Sequence, residues 1–309
     1  MTSANKITVI TGLTASGKTT LACRFASKIS AHIIGSDSRQ VYQGMDIGTG
    51  KDLDEFTVNG TQIPYHLIDH IPPDQHYDIH AYQKDFYRLW KNLKAEHQTA
   101  LLCGGSGLYV ESAISPKAFS QIPVNEKLRL ILDSKSKAEL QAKFQQIHPK
   151  YKVDRSSKKR LIRAIEIHHF LETHPEPKPL YEPLNPLYIV CFSSPEARRK
   201  RISERLTARL NQGLIEEVEE LLSKGISHER LQYFGLEYKF VSQFLLNDLT
   251  KDELFTQLHT AICRYAKRQM TWMRGLDKRS ENLHFFDVSD KKSTDYLSQL
   301  TDLHHDFHQ

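Results

Sequence analysis

Short apolar runs alternate with stretches of helical periodicity along most of the chain. The strand candidates are Ile7 to Ile10, His32 to Ile34, His66 to Ile68, Thr99 to Cys103, Leu187 to Phe192 and Leu283 to Phe286. Continuous apolar runs separated by helices are the signature of a parallel sheet covered on both faces, so the pattern predicts an α/β fold. Between Ile79 and Leu93 the positions Ile79, Tyr82, Phe86, Leu89, Trp90 and Leu93 recur at intervals of three and four, which predicts an amphipathic helix packed on that sheet.

The rhythm breaks once. Four strand candidates fall within about the first hundred residues, and the fifth arrives only after a long charged, helical stretch, Leu128 to Phe170, and the proline-punctuated segment Thr173 to Leu180. That delay predicts a helical insertion over 119–184 within a core formed by 1–118 and 185–309. The segment with Pro175, Pro177 and Pro179 is read as the linker returning to the core.

Composition narrows the class. The chain has 309 residues, 42 Lys plus Arg against 37 Asp plus Glu, and a net charge of +5. A polyanionic partner must therefore be met by a local patch. Cys23, Cys103, Cys191 and Cys263 are far apart in apolar or helical runs and are expected as reduced, buried thiols. No leading apolar segment and no run near the roughly 18 apolar residues needed to span a bilayer is present, so a cytoplasmic protein without a membrane partner is expected.

The candidate chemistry starts where the first strand ends. Gly12-Leu13-Thr14-Ala15-Ser16-Gly17-Lys18-Thr19 fits the phosphate-loop pattern at every fixed position, with a strand before it and a helix after it. The loop's glycines let successive N–H groups face an anion, Lys18 supplies a cation, and the Thr19 hydroxyl can reach a phosphate-bound Mg²⁺. This predicts a phosphorylated ligand without specifying a nucleoside triphosphate. Asp37, at the end of the second strand, suits a metal ligand, a general base or a turn former. Gly104-Gly105-Ser106-Gly107 is a second glycine turn at the same sheet edge.

Three basic segments follow. Lys159, Arg160 and Arg163 share one side of a helix whose other side carries Leu161 and Ile165. Arg201, Arg205 and Arg209 recur every four residues, a spacing that suggests a phosphate clamp. Arg264, Lys267, Arg268, Thr271 and Arg274 line a helix face without an intervening acid, the footprint of a nucleic-acid backbone contact, while Ile262, Tyr265, Ala266, Gln269 and Trp272 line much of the other side. No metal site is read in the His-rich tail with His304, His305 and His308.

The phosphate loop, Asp37-Ser38-Arg39-Gln40-Val41-Tyr42, Met45-Asp46-Ile47-Gly48-Thr49, Gly104 to Tyr109, and Tyr265-Ala266-Lys267-Arg268-Gln269-Met270-Thr271-Trp272-Met273-Arg274 together resemble the bacterial tRNA isopentenyltransferase (tRNA dimethylallyltransferase) family, in order from Ile7 to about Gly275. The resemblance implies a P-loop core and transfer of a dimethylallyl group from dimethylallyl diphosphate to N6 of the adenosine just 3′ of the anticodon. It implies Asp37 as general base and Lys18, Thr19 and Arg205 as further catalytic groups. The diphosphate would be held by Gly12, Thr14, Ala15, Ser16, Gly17, Lys18, Thr19, Arg201 and Arg205, with Mg²⁺ at Thr19. The anticodon stem-loop would meet Asp37, Ser38, Arg39, Gln40, Ser106, Lys159, Arg160, Leu161, Ile162 and Arg163, and Arg264, Lys267, Arg268, Gln269, Thr271 and Arg274; a monomer is expected.

Leu13 and Ser106 depart mildly from the family pattern. Phe234-Gly235-Leu236-Glu237-Tyr238-Lys239 departs more, since the common pattern there is close to Ile-Gly-Tyr-Lys-Glu, and no contact is carried over to it. The alternatives are an adenylate isopentenyltransferase acting on free AMP or ATP, a P-loop small-molecule kinase, and a non-catalytic nucleotide-dependent RNA-binding protein.

Overall fold

The computed structural model describes residues 5–147, 153–289 and 296–309; the first four residues, 148–152 of the predicted helical stretch and the start of the tail at Lys291 lie outside them. Two compact units emerge. One runs through Ile114 and resumes at Pro183; the other is Ser115–Glu182. The sequence-derived insertion, 119–184, has nearly the same limits.

The first unit begins β1 (Lys6–Gly12), α1 (Lys18–Ile29), β2 (His32–Gly35), a small antiparallel hairpin of β3 (Thr57–Val58) and β4 (Thr61–Gln62), and β5 (Tyr65–His66). Then come α2 (Ile79–Ala95), β6 (Ala100–Gly104) and α3 (Gly107–Ile114). The helix expected over 79–93 thus runs to Ala95, capped by Asp78, whose carboxylate accepts from the His80 and Ala81 N–H groups. The strand expected at 66–68 is shorter, because Leu67 and Asp69 take positive φ and end the pairing.

The second unit holds α4 (Glu126–Asp133), α5 (Lys137–Gln146) and α6 (Lys158–Leu171) around a core of Leu132, Leu140, Phe144, Leu161, Ile162 and Ile165. Glu166 is buried beside that core and is held by Arg129 at 2.9 and 3.0 Å. Leu161 (0 % exposed) and Ile162 (4 %) are therefore core residues, which corrects their expected RNA contact: they form the apolar stripe of α6. Arg163 is corrected likewise, since its guanidinium donates to the carbonyls of Phe119 and Ile122 at 3.2 and 2.6 Å. Lys159 and Arg160 are exposed.

The first unit resumes with β7 (Asn185–Phe192), α7 (Pro195–Asn211), α8 (Leu214–Ser223), α9 (His228–Tyr233), α10 (Leu236–Leu245), α11 (Lys251–Leu276), β8 (Leu283–Asp287) and α12 (Tyr296–His308). Its sheet has six parallel strands in the order β5-β2-β6-β1-β7-β8. The central strands are buried on both faces, which is why they read as unbroken apolar runs. Among the described residues no disulfide forms, and Cys23, Cys103 and Cys191 are buried. Burial pushes the Cys103 and Cys191 thiols up to about 12, so both stay protonated. No described helix is long and apolar enough to cross a membrane.

The polar tail folds as α12 and docks on the sheet. His304 Nδ1 lies 2.8 Å and His308 Nε2 3.3 Å from the Thr8 hydroxyl of β1, and the His304 ring meets Phe25 of α1 edge-on. Burial, helped by His308 and His305, lowers the His304 pKa to about 4. A histidine near 6.5 when unfolded and near 4 when folded binds its proton first in the unfolded state, so acidification between those values costs stability. Melting temperature is expected to fall as pH drops from about 6.5 to about 4, and His304→Asn to flatten that dependence in melts recorded across the range.

Candidate active site

Three neighbouring strands deliver the site. β2, β6 and β1 are adjacent and parallel, so their carboxyl ends place Asp37, Ser106 and the phosphate loop at one sheet edge. The edge is closed tightly. The Ser36 N–H donates to the Cys103 carbonyl at 2.8 Å, the Ser38 N–H to the Ser106 hydroxyl at 3.2 Å, and the Thr11 hydroxyl to the Gly104 carbonyl at 2.8 Å. Glycine is needed at 104, because a Cβ there would lie 2.5 Å from the Ser36 backbone.

Between Gly12 and Lys18 the chain curls back on itself: the Ser16 N–H donates to the Leu13 carbonyl and Ala15 takes a φ of 59°. Leu13 is fully buried and packs with Val190 and Met273, an apolar anchor under the loop. The Ser16 hydroxyl is buried without a hydrogen-bond partner, a donor left for a ligand oxygen. A cavity of about 380 Å³ opens above. Thr14 to Thr19, Asp37, Arg205, Arg209, Tyr265 and Arg268 are among the residues that line it.

Asp37 takes the turn-forming role the sequence allowed. Its Oδ1 accepts the Arg39 N–H at 2.9 Å, the hydrogen bond of an Asx turn, while Oδ2 is not bonded by any described residue. One oxygen is thus fixed and the other is left to face the cavity. The half-buried Tyr265 stands nearby; burial pushes its hydroxyl up to about 12, with the Asp37 charge adding to the rise, so it remains a neutral donor or acceptor.

The arginine ladder does not act as one clamp. Residues four apart on an α-helix are offset by about 40°, so the three arginines fan out over two steps rather than converge. Arg205 donates to the Thr14 hydroxyl and lines the cavity; burial and the neighbouring Arg209 lower its pKa to about 10, which leaves it charged at neutral pH. Arg201, expected on the diphosphate, instead donates to the Val288 and Ser289 carbonyls and so ties α7 to the end of β8. Arg209 is 5 % exposed, 3.4 Å from both Glu237 and the Gly48 carbonyl.

On α11 the expected basic side is present: Arg264, Lys267, Arg268, Thr271 and Arg274 are exposed, and among the described residues none of the four cations forms an ion pair. Gln269 belongs elsewhere. It is 6 % exposed, its Oε1 accepts the Thr14 N–H at 2.9 Å and its Nε2 donates to the Gly105 carbonyl at 3.0 Å. The expected RNA contact is therefore corrected to a brace between the two glycine loops; its place on the buried stripe with Ile262, Ala266 and Met273 was the signal. Gln40 lines the cavity as well, and its amide donates to the Gly50 carbonyl at 2.7 Å and so holds the cavity wall.

That wall went unread in the sequence. Glu217 of α8 accepts the N–H groups of Asp46, Ile47 and Gly48 at 2.8, 2.7 and 2.9 Å and the Tyr238 hydroxyl at 2.7 Å, fixing the loop that presents Thr49 and Gly50. Tyr233, Phe234, Glu237 and Lys239 also line the cavity, as do Asp52 and Glu55. Only the departure of the 234–239 segment from a common pattern marked it as unusual.

A family model described as IPP transferase matches residues 40–276. The tRNA dimethylallyltransferase 1 of Parabacteroides distasonis is 42 % identical over 287 residues, covering 92 % of this chain and 93 % of that protein. The tRNA dimethylallyltransferase 2 of Bacteroides fragilis is 44 % identical over 283 residues, covering 91 % and 92 %. The full-length tRNA isopentenylpyrophosphate transferase of Bacillus halodurans superposes with a TM-score of 0.73 at 28 % identity, covering 98 % of this chain and 97 % of that one. A eukaryotic dimethylallyltransferase acting on tRNA shares the fold, with a TM-score of 0.77 at 21 % identity, 98 % of this chain and 79 % of that one being covered.

The Gln269 brace gives a direct test of the loop's preorganisation. Gln269→Leu removes two hydrogen bonds of about 1 kcal/mol each, so affinity for inorganic diphosphate is expected to fall by up to about thirtyfold, measured by calorimetry.

Proposed function

Since the chain belongs to the IPP transferase family, we propose that it is a tRNA-prenylating enzyme that moves the dimethylallyl group of dimethylallyl diphosphate to N6 of the adenosine 3′-adjacent to the anticodon. The carrying observation is that the carboxylate of Asp37 lines the same cavity as Lys18 and Arg205. A base and a set of anion-binding cations around one space suit a substitution in which a diphosphate leaves as an amine arrives.

In that reaction the N6 lone pair forms a bond to the allylic C1, the C1–O bond breaks, and its electron pair departs on the diphosphate. An exocyclic adenine amine is a weak nucleophile, so most of the acceleration must come from stabilising the leaving oxygens and aligning the two substrates. The residues from Thr14 to Thr19 line the diphosphate side, Lys18 and Arg205 neutralise it, and Asp37 Oδ2 takes the N6 proton. The target base must leave its stack to reach a recessed cavity. Arg264, Lys267, Arg268 and Arg274 would meet phosphates, with Thr271, Ser38 and Ser106 near the same path. Lys159 and Arg160 of the second unit would add backbone contacts.

The residues also fit Mg²⁺. Thr19 lines the cavity and its hydroxyl is not bonded by a described residue, while the described residues hold no cluster of three His, Cys, Asp or Glu that could bind an ion alone. A Mg²⁺ would thus arrive with the diphosphate and supply charge neutralisation between its oxygens. We propose a monomer, working in the cytoplasm where tRNA is matured.

Purified protein given Mg²⁺ and labelled dimethylallyl diphosphate is expected to label tRNA and leave AMP unlabelled. Label in AMP would make it an adenylate isopentenyltransferase, and phosphate transfer from ATP without prenylation would make it a kinase. Asp37→Ala is expected to lower kcat on the order of a hundredfold or more while tRNA affinity holds; a lost affinity with ordinary turnover would make Asp37 a binding group.

A further inference from the structure

Arg39 follows Asp37 by two residues, and its side chain lies along Tyr233 and Gly235, where the divergent segment 234–239 begins. Its guanidinium carbon sits 4.8 Å from the centre of the Tyr233 ring. The Arg39 stem passes Gly235, where a Cβ would lie 3.9 Å from the Arg39 Cγ and Nε; Gly235 has a φ of 129°, a backbone that side chains rarely adopt. No described carboxylate or carbonyl takes a hydrogen bond from the Arg39 guanidinium. The cation is thus half-buried and oriented, with its N–H edges unspent.

Tyr233 is 41 % exposed and still lines the cavity, so it stands at the rim. Its own position is set by Arg230. That guanidinium donates to the carbonyls of Pro73, at 3.2 Å, and Gln75, and lies 5.1 Å from the Tyr233 ring centre and 4.8 Å from that of Phe234. Arg230 spends donors on the fold, whereas Arg39 keeps its own.

We infer that Tyr233 is a positioning residue for the acceptor: its ring holds the Arg39 guanidinium at the cavity rim, where the free N–H edges grip a backbone phosphate of the RNA beside the nucleotide whose amine faces Asp37. The assignment rests on the reading of tRNA as acceptor. The chemistry favours a phosphate. A stacked guanidinium presents a planar fork matched to two anionic oxygens, and stacking reduces the entropy lost when they bind. Lys239 and Arg268, on the same cavity lining, give the rim cationic company.

The test is steady-state prenylation of tRNA by the full chain, with direct tRNA binding measured across salt concentrations. Tyr233→Leu is expected to raise the KM for tRNA about tenfold with the loss in KM rather than kcat, and Tyr233→Phe to stay within about twofold of wild type. Arg39→Gln should match Tyr233→Leu, and the double variant should be no worse than either, because both remove one contact. In Tyr233→Leu, Arg39→Gln and the double variant the slope of log affinity against log salt should shrink by roughly 0.7, the loss of one phosphate contact on a single strand, while Tyr233→Phe should keep the wild-type slope. An unchanged KM in Tyr233→Leu, effects that multiply in the double variant, or an unchanged salt slope would overturn the inference. A wild-type protein that labels no tRNA would instead refute the proposed function, so the two failures are distinguishable.

Discussion

Positive charge held in a recessed space has to be met by something. Lys18, Arg205 and Arg209 line one cavity, and among the described residues only Arg209 has an acidic partner within 4 Å, Glu237. Two guanidinium groups sunk beside one another on one helix repel each other, which adds to the effect of burial in lowering the Arg205 pKa to about 10. The orphaned Ser16 hydroxyl lies in the loop beside them. A site with unsatisfied donors and clustered cations is arranged for a polyanion, and its energetic strain is relieved when one binds. The rest of the fold serves to hold that arrangement still.

It does so with long-range ties that carry no chemistry themselves. Gln269 reaches from α11 to both glycine loops, Glu217 reaches from α8 to three consecutive N–H groups of the cavity wall, and Arg201 fastens α7 to the last strand. Lys51 is fully enclosed between Asp46 and Asp69 at 2.6 and 2.5 Å, a buried cation whose two carboxylates make its burial tolerable. Preorganisation of this kind matters most when catalysis consists of alignment and leaving-group stabilisation, because the donors need not rearrange as charge develops.

How much of this could be read beforehand follows from the range of each interaction. The strands were legible because a doubly covered parallel sheet demands unbroken apolar runs, and the phosphate loop because its spacing is local. Asp37 was placed by the rule that strand ends converge. Spacing alone misled at Arg201, since four-residue steps drift around a helix, and at Gln269, Leu161 and Ile162, where membership of a basic segment outweighed the apolar stripe each belongs to. The anchoring of α12 depends on Thr8, almost three hundred positions from His304, and no local pattern announces such a contact. Tyr233 and Glu217 were invisible for the same reason: their meaning lies in partners far away in the chain.

The claim that joins these parts is that the loop at Gly12 to Thr19 cradles a leaving diphosphate while the hydrocarbon is transferred. Phosphorus NMR of a reaction containing dimethylallyl diphosphate, tRNA, Mg²⁺ and ATP tests it most directly. One inorganic diphosphate is expected for each prenyl group found on tRNA, with the ATP resonances unchanged. Orthophosphate or ADP appearing in step with product, or diphosphate released without prenylated tRNA, would contradict it.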